Sequence, residues 1–377
     1  MDKDLELEKK SGKIKKISNE ENVYNSYKEK IEDIKSPKSK FFYASIIILN
    51  ICTLLLAFIW LNMNYDINTF NLLTEVFEYK VLLIVILVFV FMSVLKTIPM
   101  LLKFYNNHKR SKFWLFYKVN SLSDFYDSVT LKSSGGKFAS VDYMVENGVK
   151  VSEAVGLTFS KMLFNVFTSA TISLLVLMFS VFTPMKISIW LTLLAIISLL
   201  YEISYIVVVV VFAKNKKAGI SFVAFISRWL FKFKLIKDYE LFFNKTVDKL
   251  IVQSKAFGLN KLILITEIAS NLLVLVLRVV VLYLALTSVG VNGAEWLWQL
   301  IVSFVILDLI IRLLPLQKGT LIIEILFISI FATMFTNVYV FYGLFVYKIF
   351  EYFLYAIQYL IVLFIDKICC KRNKNFE

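Results

Sequence analysis

A series of long apolar runs limits this chain's fold more than any other feature. The runs fall at 42–61, 80–102, 156–182, 187–212, 262–288, 296–314, 321–337 and 344–365. An α-helix rises 1.5 Å per residue, so about 20 residues reach across roughly 30 Å of hydrocarbon. Burying every run inside one water-facing shell is not feasible, because 59% of the 377 residues are hydrophobic, whereas ordinary soluble domains hold roughly 45–50%. Lipid is therefore the solvent for much of the chain. With only four prolines and eleven glycines, the frequent turns of a β-rich fold are not encoded. The sequence predicts an all-α, polytopic integral membrane bundle of about eight transmembrane helices. The pair at 321–365 is separated only by the turn Asn337 to Gly343, which also admits two short half-helices or a re-entrant segment.

The formal charge of +14 would make nucleic acid a candidate partner for a soluble protein. Here the lysines and arginines gather between the apolar runs, as on the cytoplasmic flanks of membrane spans. With eight crossings the loops 62–79, 183–186 and 289–295 lie outside, and Lys186 is their only basic residue. The loops 103–155 and 213–261 and the end from Lys367 to Lys374 are basic and fall inside. The reading is a multi-pass protein of the cell membrane with both termini cytoplasmic and no nucleic-acid partner. Residues 1–40 mix Lys with Glu and Asp and hold few large apolar side chains, which predicts a flexible cytoplasmic tail without a cleavable signal. The transmembrane domain is expected over 41–366, followed by a basic tail at 367–377.

Three cysteines and the single His108 match no zinc or disulfide spacing, so neither a metal nor another cofactor is expected. Between Gly219 and Leu235, Phe222, Phe225, Ile226, Trp229 and Phe233 share a helical face opposite Ser221, Arg228 and Lys232, the pattern of an interfacial helix. Lys112 to Tyr126 is similarly aromatic and basic and is also expected at the interface.

Charged residues inside spans are costly and mark candidate sites. They include Lys161, Glu202, Glu267, Arg278, Asp308, Arg312, Glu324, Lys348 and Glu351, with Asn271 as a neutral companion. Asp308 and Arg312 are four apart, so an intrahelical pair accounts for them, and Lys161 is expected either to snorkel to the interface or to face the interior. Glu202 lies near the middle of its span and must be protonated or face a polar cavity. Glu267, Asn271 and Arg278 fall on one helical face, either as a polar path or as glue between helices.

Two interruptions complete the candidates. In the first, Tyr126, Asp127 and Thr130 lead through Ser133 and Ser134 to Gly135 and Gly136, where backbone N–H groups can meet an anion or simply form a loop. In the second, Pro315 breaks a span, Gly319 and Thr320 follow, and Glu324 enters the next apolar run.

The order and spacing of these elements resemble the lysylphosphatidylglycerol synthase transmembrane family, also described as flippase-like. The family's first motif has Tyr, Asp and Thr-Pro before a small-residue pair and Gly-Gly-Gln-Pro. Tyr126, Asp127, Thr130, Ser133, Ser134, Gly135 and Gly136 match it, while Leu131, Lys137 and Phe138 replace Pro, Gln and Pro. Pro315, Gly319, Glu324 and Phe327 hold places in its second motif, and Tyr347 with Lys348 resembles its aromatic-basic pair, while Gln317, Lys318 and Leu321 replace a Pro and two Gly. The resemblance implies a translocase-like module. Family synthases append a soluble transferase domain, which is not expected in the eleven residues after Asp366.

The expected function is that of a lipid flippase or transporter and not of an enzyme, moving an anionic phospholipid or polyprenyl-phosphate headgroup. Its path is expected to run along Asp127, Thr130, Ser133, Ser134, Gly135, Gly136, Glu202, Glu267, Asn271, Arg278, Glu324 and Lys348. The competing readings are a membrane enzyme using a lipid-linked substrate through Asp127, Asp142 and Glu146, and a noncatalytic scaffold.

Overall fold

The computed structural model describes residues 79–108, 112–130, 135–180, 187–232, 261–288, 293–314, 321–333, 335 and 337–374, with isolated residues of 41–59 and 243–247. The described residues are helical, with no strand among them. The elements are α1 (Tyr79–His108), α2 (Phe113–Val129), α3 (Gly135–Glu146), α4 (Val151–Ser180), α5 (Ile189–Lys214), α6 (Lys216–Lys232), α7 (Lys261–Ser288), α8 (Gly293–Leu313), α9 (Leu321–Phe331), α10 (Asn337–Lys348), a π turn (Ile349–Phe353) and α11 (Leu354–Lys374).

Six stretches among the described residues are long and apolar enough to cross a membrane: Leu83–His108, Val151–Ser180, Ile189–Lys214, Lys261–Thr287, Trp296–Leu313 and Tyr339–Asp366. They meet the expected spans at 80–102, 156–182, 187–212, 262–288, 296–314 and 344–365. The run at 42–61 lies largely outside the described residues, although Phe41, Ala44, Ser45 and Asn50 are helical. The run at 321–337 differs from a full crossing. Its helix α9 has 11 residues and reaches only about 16 Å. The half-helix alternative fits here, while the partner segment continues through the π turn into one long span.

α8 is central. Leu300, Phe304, Leu307 and Ile310 lie in a large core with Leu199 of α5, Leu282 of α7 and Phe327 of α9. A second core joins Met100 and Phe104 of α1 to Phe116 of α2, Val141 of α3 and Ala154 of α4. The outer sides of the spans expose Leu87 and Phe91 on α1, Leu175 and Phe179 on α4, and Ile197 and Leu200 on α5. Such faces suit acyl chains and not water.

The stretch expected at the interface from Lys112 is instead built into the bundle. Along α2, Phe116, Lys118, Val119, Asn120, Ser121, Ser123, Phe125, Ser128 and Val129 are buried. α2 and α3 form a hairpin packed against α1, α4 and α11, so Phe116 and Phe125 fill interior volume while Phe113 and Trp114 at its start stay exposed. α3 ends in a Schellman turn: Val149 N–H donates to Met144 C=O and Gly148 N–H to Val145 C=O, both at 3.0 Å. Gly148 has φ 80°, a conformation that favours glycine. α6 covers most of the stretch expected at the interface, with Phe222 and Phe225 exposed while Val223 and Ser227 are buried.

Candidate functional site: a charged cavity inside the bundle

A cavity of about 780 Å³ lies among α1–α5 and α7–α11. Its wall carries Lys96, Lys137, Lys161, Arg278, Arg312 and Lys348, matched by Asp124, Asp127, Glu202, Asp308, Glu324 and Glu351. Charges at membrane depth are tolerated when they pair or face a polar space, and both conditions hold here.

On one side, two guanidinium groups are strung between three carboxylates. Arg278 Nε donates to Glu351 Oε1 at 2.5 Å and its Nη1 to Asp308 Oδ1 at 3.1 Å. Arg312 Nε donates to Asp308 Oδ2 at 2.8 Å, the expected intrahelical pair, and Arg312 Nη1 stands 3.7 Å from Glu202 Oε1. Glu351 belongs to the π turn, a distortion that recurs at functional sites. Elsewhere on the wall, Lys348 pairs with Glu324 and reaches Asn50 Oδ1 at 3.3 Å. Lys96 Nζ donates to Asp124 at 2.8 Å and to the Tyr355 hydroxyl at 3.1 Å. Lys161 does not snorkel outward. Its Nζ donates to Asn120 Oδ1 at 2.5 Å, and both residues line the cavity.

The glycine pair is placed differently from an open anion site. Gly135 N–H donates to Thr130 Oγ1 at 2.8 Å and Gly136 N–H to Asp127 Oδ1 at 3.0 Å. Thr130 and Asp127 therefore cap the start of α3, satisfying donors that a helix otherwise leaves unpaired. Glycine is required for close approach: a Cβ on Gly136 would collide with the Ser123 carbonyl and lie 2.6 Å from Asp127 Cγ. Asp127 itself remains on the cavity wall beside Lys137 and Ser140. Ser133, Ser134, Pro315, Gly319 and Thr320 lie outside the described residues.

The cavity thus brings together Asp127, Glu202, Asn271, Arg278, Glu324 and Lys348. Thr130, Gly135 and Gly136 stand behind it. Glu267 also departs from the path, since it is held by Lys103 at 2.6 Å in a pair with side chains 3% and 2% exposed, off the cavity wall. Sequence reasoning passed over Lys96, Asn120, Asp124 and Asn165, all on the wall. Lys96 had a legible signal as a lysine inside an apolar run. Asn120 and Asp124 were hidden by assigning α2 to the surface. Lys137, which stands at the family's Gln position, also lines the cavity.

A family model described as the lysylphosphatidylglycerol synthase TM region matches residues 43–358, spanning α1 to α10 and the π turn. No curated protein and no solved structure matches the chain.

Proposed function

This chain belongs to the lysylphosphatidylglycerol synthase TM region family, and on that premise we propose that it is a lipid flippase or transporter. The cargo is a phospholipid or a lipid-linked phosphate, such as an anionic phospholipid or a polyprenyl phosphate. The observation that carries this reading is the charged cavity enclosed by spans with apolar outer faces. A bare ionic headgroup in hydrocarbon costs several kcal/mol. A wall of paired charges lowers that barrier by exchanging partners with the headgroup, while the acyl chains stay against the outer faces. The volume lies within the roughly 300–1,000 Å³ of small-molecule sites, enough for a headgroup without its tails.

In this reading Arg278, Arg312 and Lys348 receive the phosphate, since guanidinium groups bind it through paired N–H donors and lysine as a point charge. Asp308, Glu351 and Glu324 hold those cations in place between transport events. Asp127 caps α3 and contributes a carboxylate to the wall, whereas Thr130, Gly135 and Gly136 fix the hairpin that carries it. We place both termini on the cytoplasmic side of the cell membrane, because the basic loops flank the spans on that side and the short α9 returns the chain to the end of the bundle where α8 begins, Phe335 meeting Trp296 at 5.8 Å. A reporter fused at Asn373 and found outside would overturn this orientation.

The deciding assay uses purified protein in phosphatidylcholine vesicles containing fluorescent phosphatidylglycerol, with a membrane-impermeant quencher added outside. Transport predicts that the quenchable fraction rises above the outer-leaflet share, with the lipid recovered chemically unchanged. Recovery of altered lipid would favour the enzyme reading. A quenchable fraction equal to that of protein-free vesicles would favour a scaffold.

A further inference from the structure

We infer that Glu202 is a proton-binding site, taking up one proton when an anionic headgroup engages Arg312 and releasing it when the headgroup leaves. The inference rests on the transport reading and adds the coupling ion to it.

The carboxylate of Glu202 is 5% exposed near the midpoint of α5, on the cavity wall. Its Oε1 stands 3.7 Å from Arg312 Nη1, beyond hydrogen-bond reach, and its Oε2 is buried without a hydrogen-bond partner. Arg312 is committed elsewhere, because its Nε donates to Asp308 at 2.8 Å. Asp308 in turn receives both Arg312 and Arg278. One cation is therefore shared between two carboxylates, and Glu202 holds the weaker share. A buried carboxylate with so little compensation is costly, and accepting a proton removes that cost.

Among the described residues, the charged groups facing Glu202 are Arg312 and Asp308 of α8, with Lys161 and the neutral Asn165 of α4 on the same cavity. Its own helix places both Tyr201 and Tyr205 on the cavity, Tyr201 at its open rim with 64% exposure. α6 packs on α5 through Val223 against Val209 and Phe212.

The sequence of events balances in charge. A phosphodiester carrying one negative charge takes Arg312 as its partner, which strips Glu202 of its remaining compensation. Glu202 Oε2 then accepts one proton from the cavity, so anion plus proton add no net charge at membrane depth. On release of the headgroup the proton returns to the cavity and Glu202 faces Arg312 again.

Two readouts test this. Infrared pH-difference spectra of the full-length protein in nanodiscs should show a titrating carboxylic-acid carbonyl band that is absent in Glu202→Gln. Addition of phosphatidylglycerol should strengthen the band at fixed pH. In the vesicle assay, a gradient of one pH unit should change the ratio of inward to outward lipid movement by up to about tenfold for one coupled proton. Glu202→Gln should remove that dependence. Lipid movement indifferent to the gradient in the unaltered protein would overturn the coupling. A carbonyl band identical in Glu202→Gln would overturn the proton site itself. Absence of any lipid movement would instead sink the transport reading, with the infrared titration then deciding the proton site alone.

Discussion

Two buried ionic clusters in this protein set cations against carboxylates toward opposite ends. Lys103 of α1 is enclosed with Glu267 of α7 at 2.6 Å, and its Nζ also donates to Ser160 Oγ at 2.8 Å. Their side chains are 3% and 2% exposed, so the pair is sealed and joins α1, α4 and α7. The Arg278–Asp308–Arg312 group is looser. Its side chains are 13–23% exposed, each cation is shared, and Glu202 at its edge is incompletely paired. A sealed pair has no cheaper arrangement available, whereas a shared set has several of similar energy. The first therefore fixes helix positions, and the second can exchange partners with a ligand.

This contrast can be broken most directly at Lys103. Lys103→Met leaves Glu267 buried without its partner, and we expect a loss of about 3–5 kcal/mol of stability, read by denaturant unfolding in bicelles. The double variant Lys103→Met/Glu267→Leu should recover to within about 1 kcal/mol, since removing both charges also removes the desolvation cost. A double variant as unstable as the single one would mean that packing, not the ion pair, sets the cost.

Gly136→Ala comes next, because the new methyl meets the Ser123 carbonyl and the Asp127 carboxyl. Overpacking of this kind costs about 1–3 kcal/mol. Gly136→Ala matching the unaltered protein in the same unfolding measurement would contradict the close contact of α2 and α3. Asp127→Ala removes the acceptor of the Gly136 N–H, with an expected cost of about 1 kcal/mol. Asp127→Asn keeps an acceptor oxygen and should recover most of it, whereas equal losses in both variants would assign the effect to charge instead of capping.

Glu202→Gln should have the smallest effect on stability, below about 0.5 kcal/mol or slightly favourable, because it neutralises a carboxylate with little compensation. A loss comparable to that of Lys103→Met would erase the distinction between the two clusters.

The two interruptions show how far the sequence could be read. Asp127 beside the first interruption and Glu324 after the second, both on the expected path, line one cavity, whereas Gly135 and Gly136 do not reach its wall. The use of the Gly135 and Gly136 donors was misjudged, although Thr130 and Asp127, five and nine residues upstream, are the types that cap helices. Periodicity marked α6 as a helix, and the structure has one at Lys216–Lys232. The same reading misplaced α2, since an aromatic and basic stripe reads the same whether it faces headgroups or a hairpin partner with a polar cavity behind it.

The sequence by itself determined which segments enter the membrane and that they are helical. Transfer from water to lipid depends on local composition, and internal hydrogen bonding is a property of each segment alone. It also indicated that charges in those segments need a polar environment. Only the tertiary structure decided which charges meet. Arg278 finds Glu351 across 73 residues, Lys348 finds Glu324, and Glu267 is drawn away to Lys103. The helical period gives the face on which each charge stands, but partner choice depends on the rotation and depth at which separate helices pack. Those are set by non-local contacts such as Phe304 and Phe327 in one core and Phe116 and Val141 in another. Glu202 falls between the two kinds of knowledge: its place at mid-span was legible, and its unequal share of Arg312 was not.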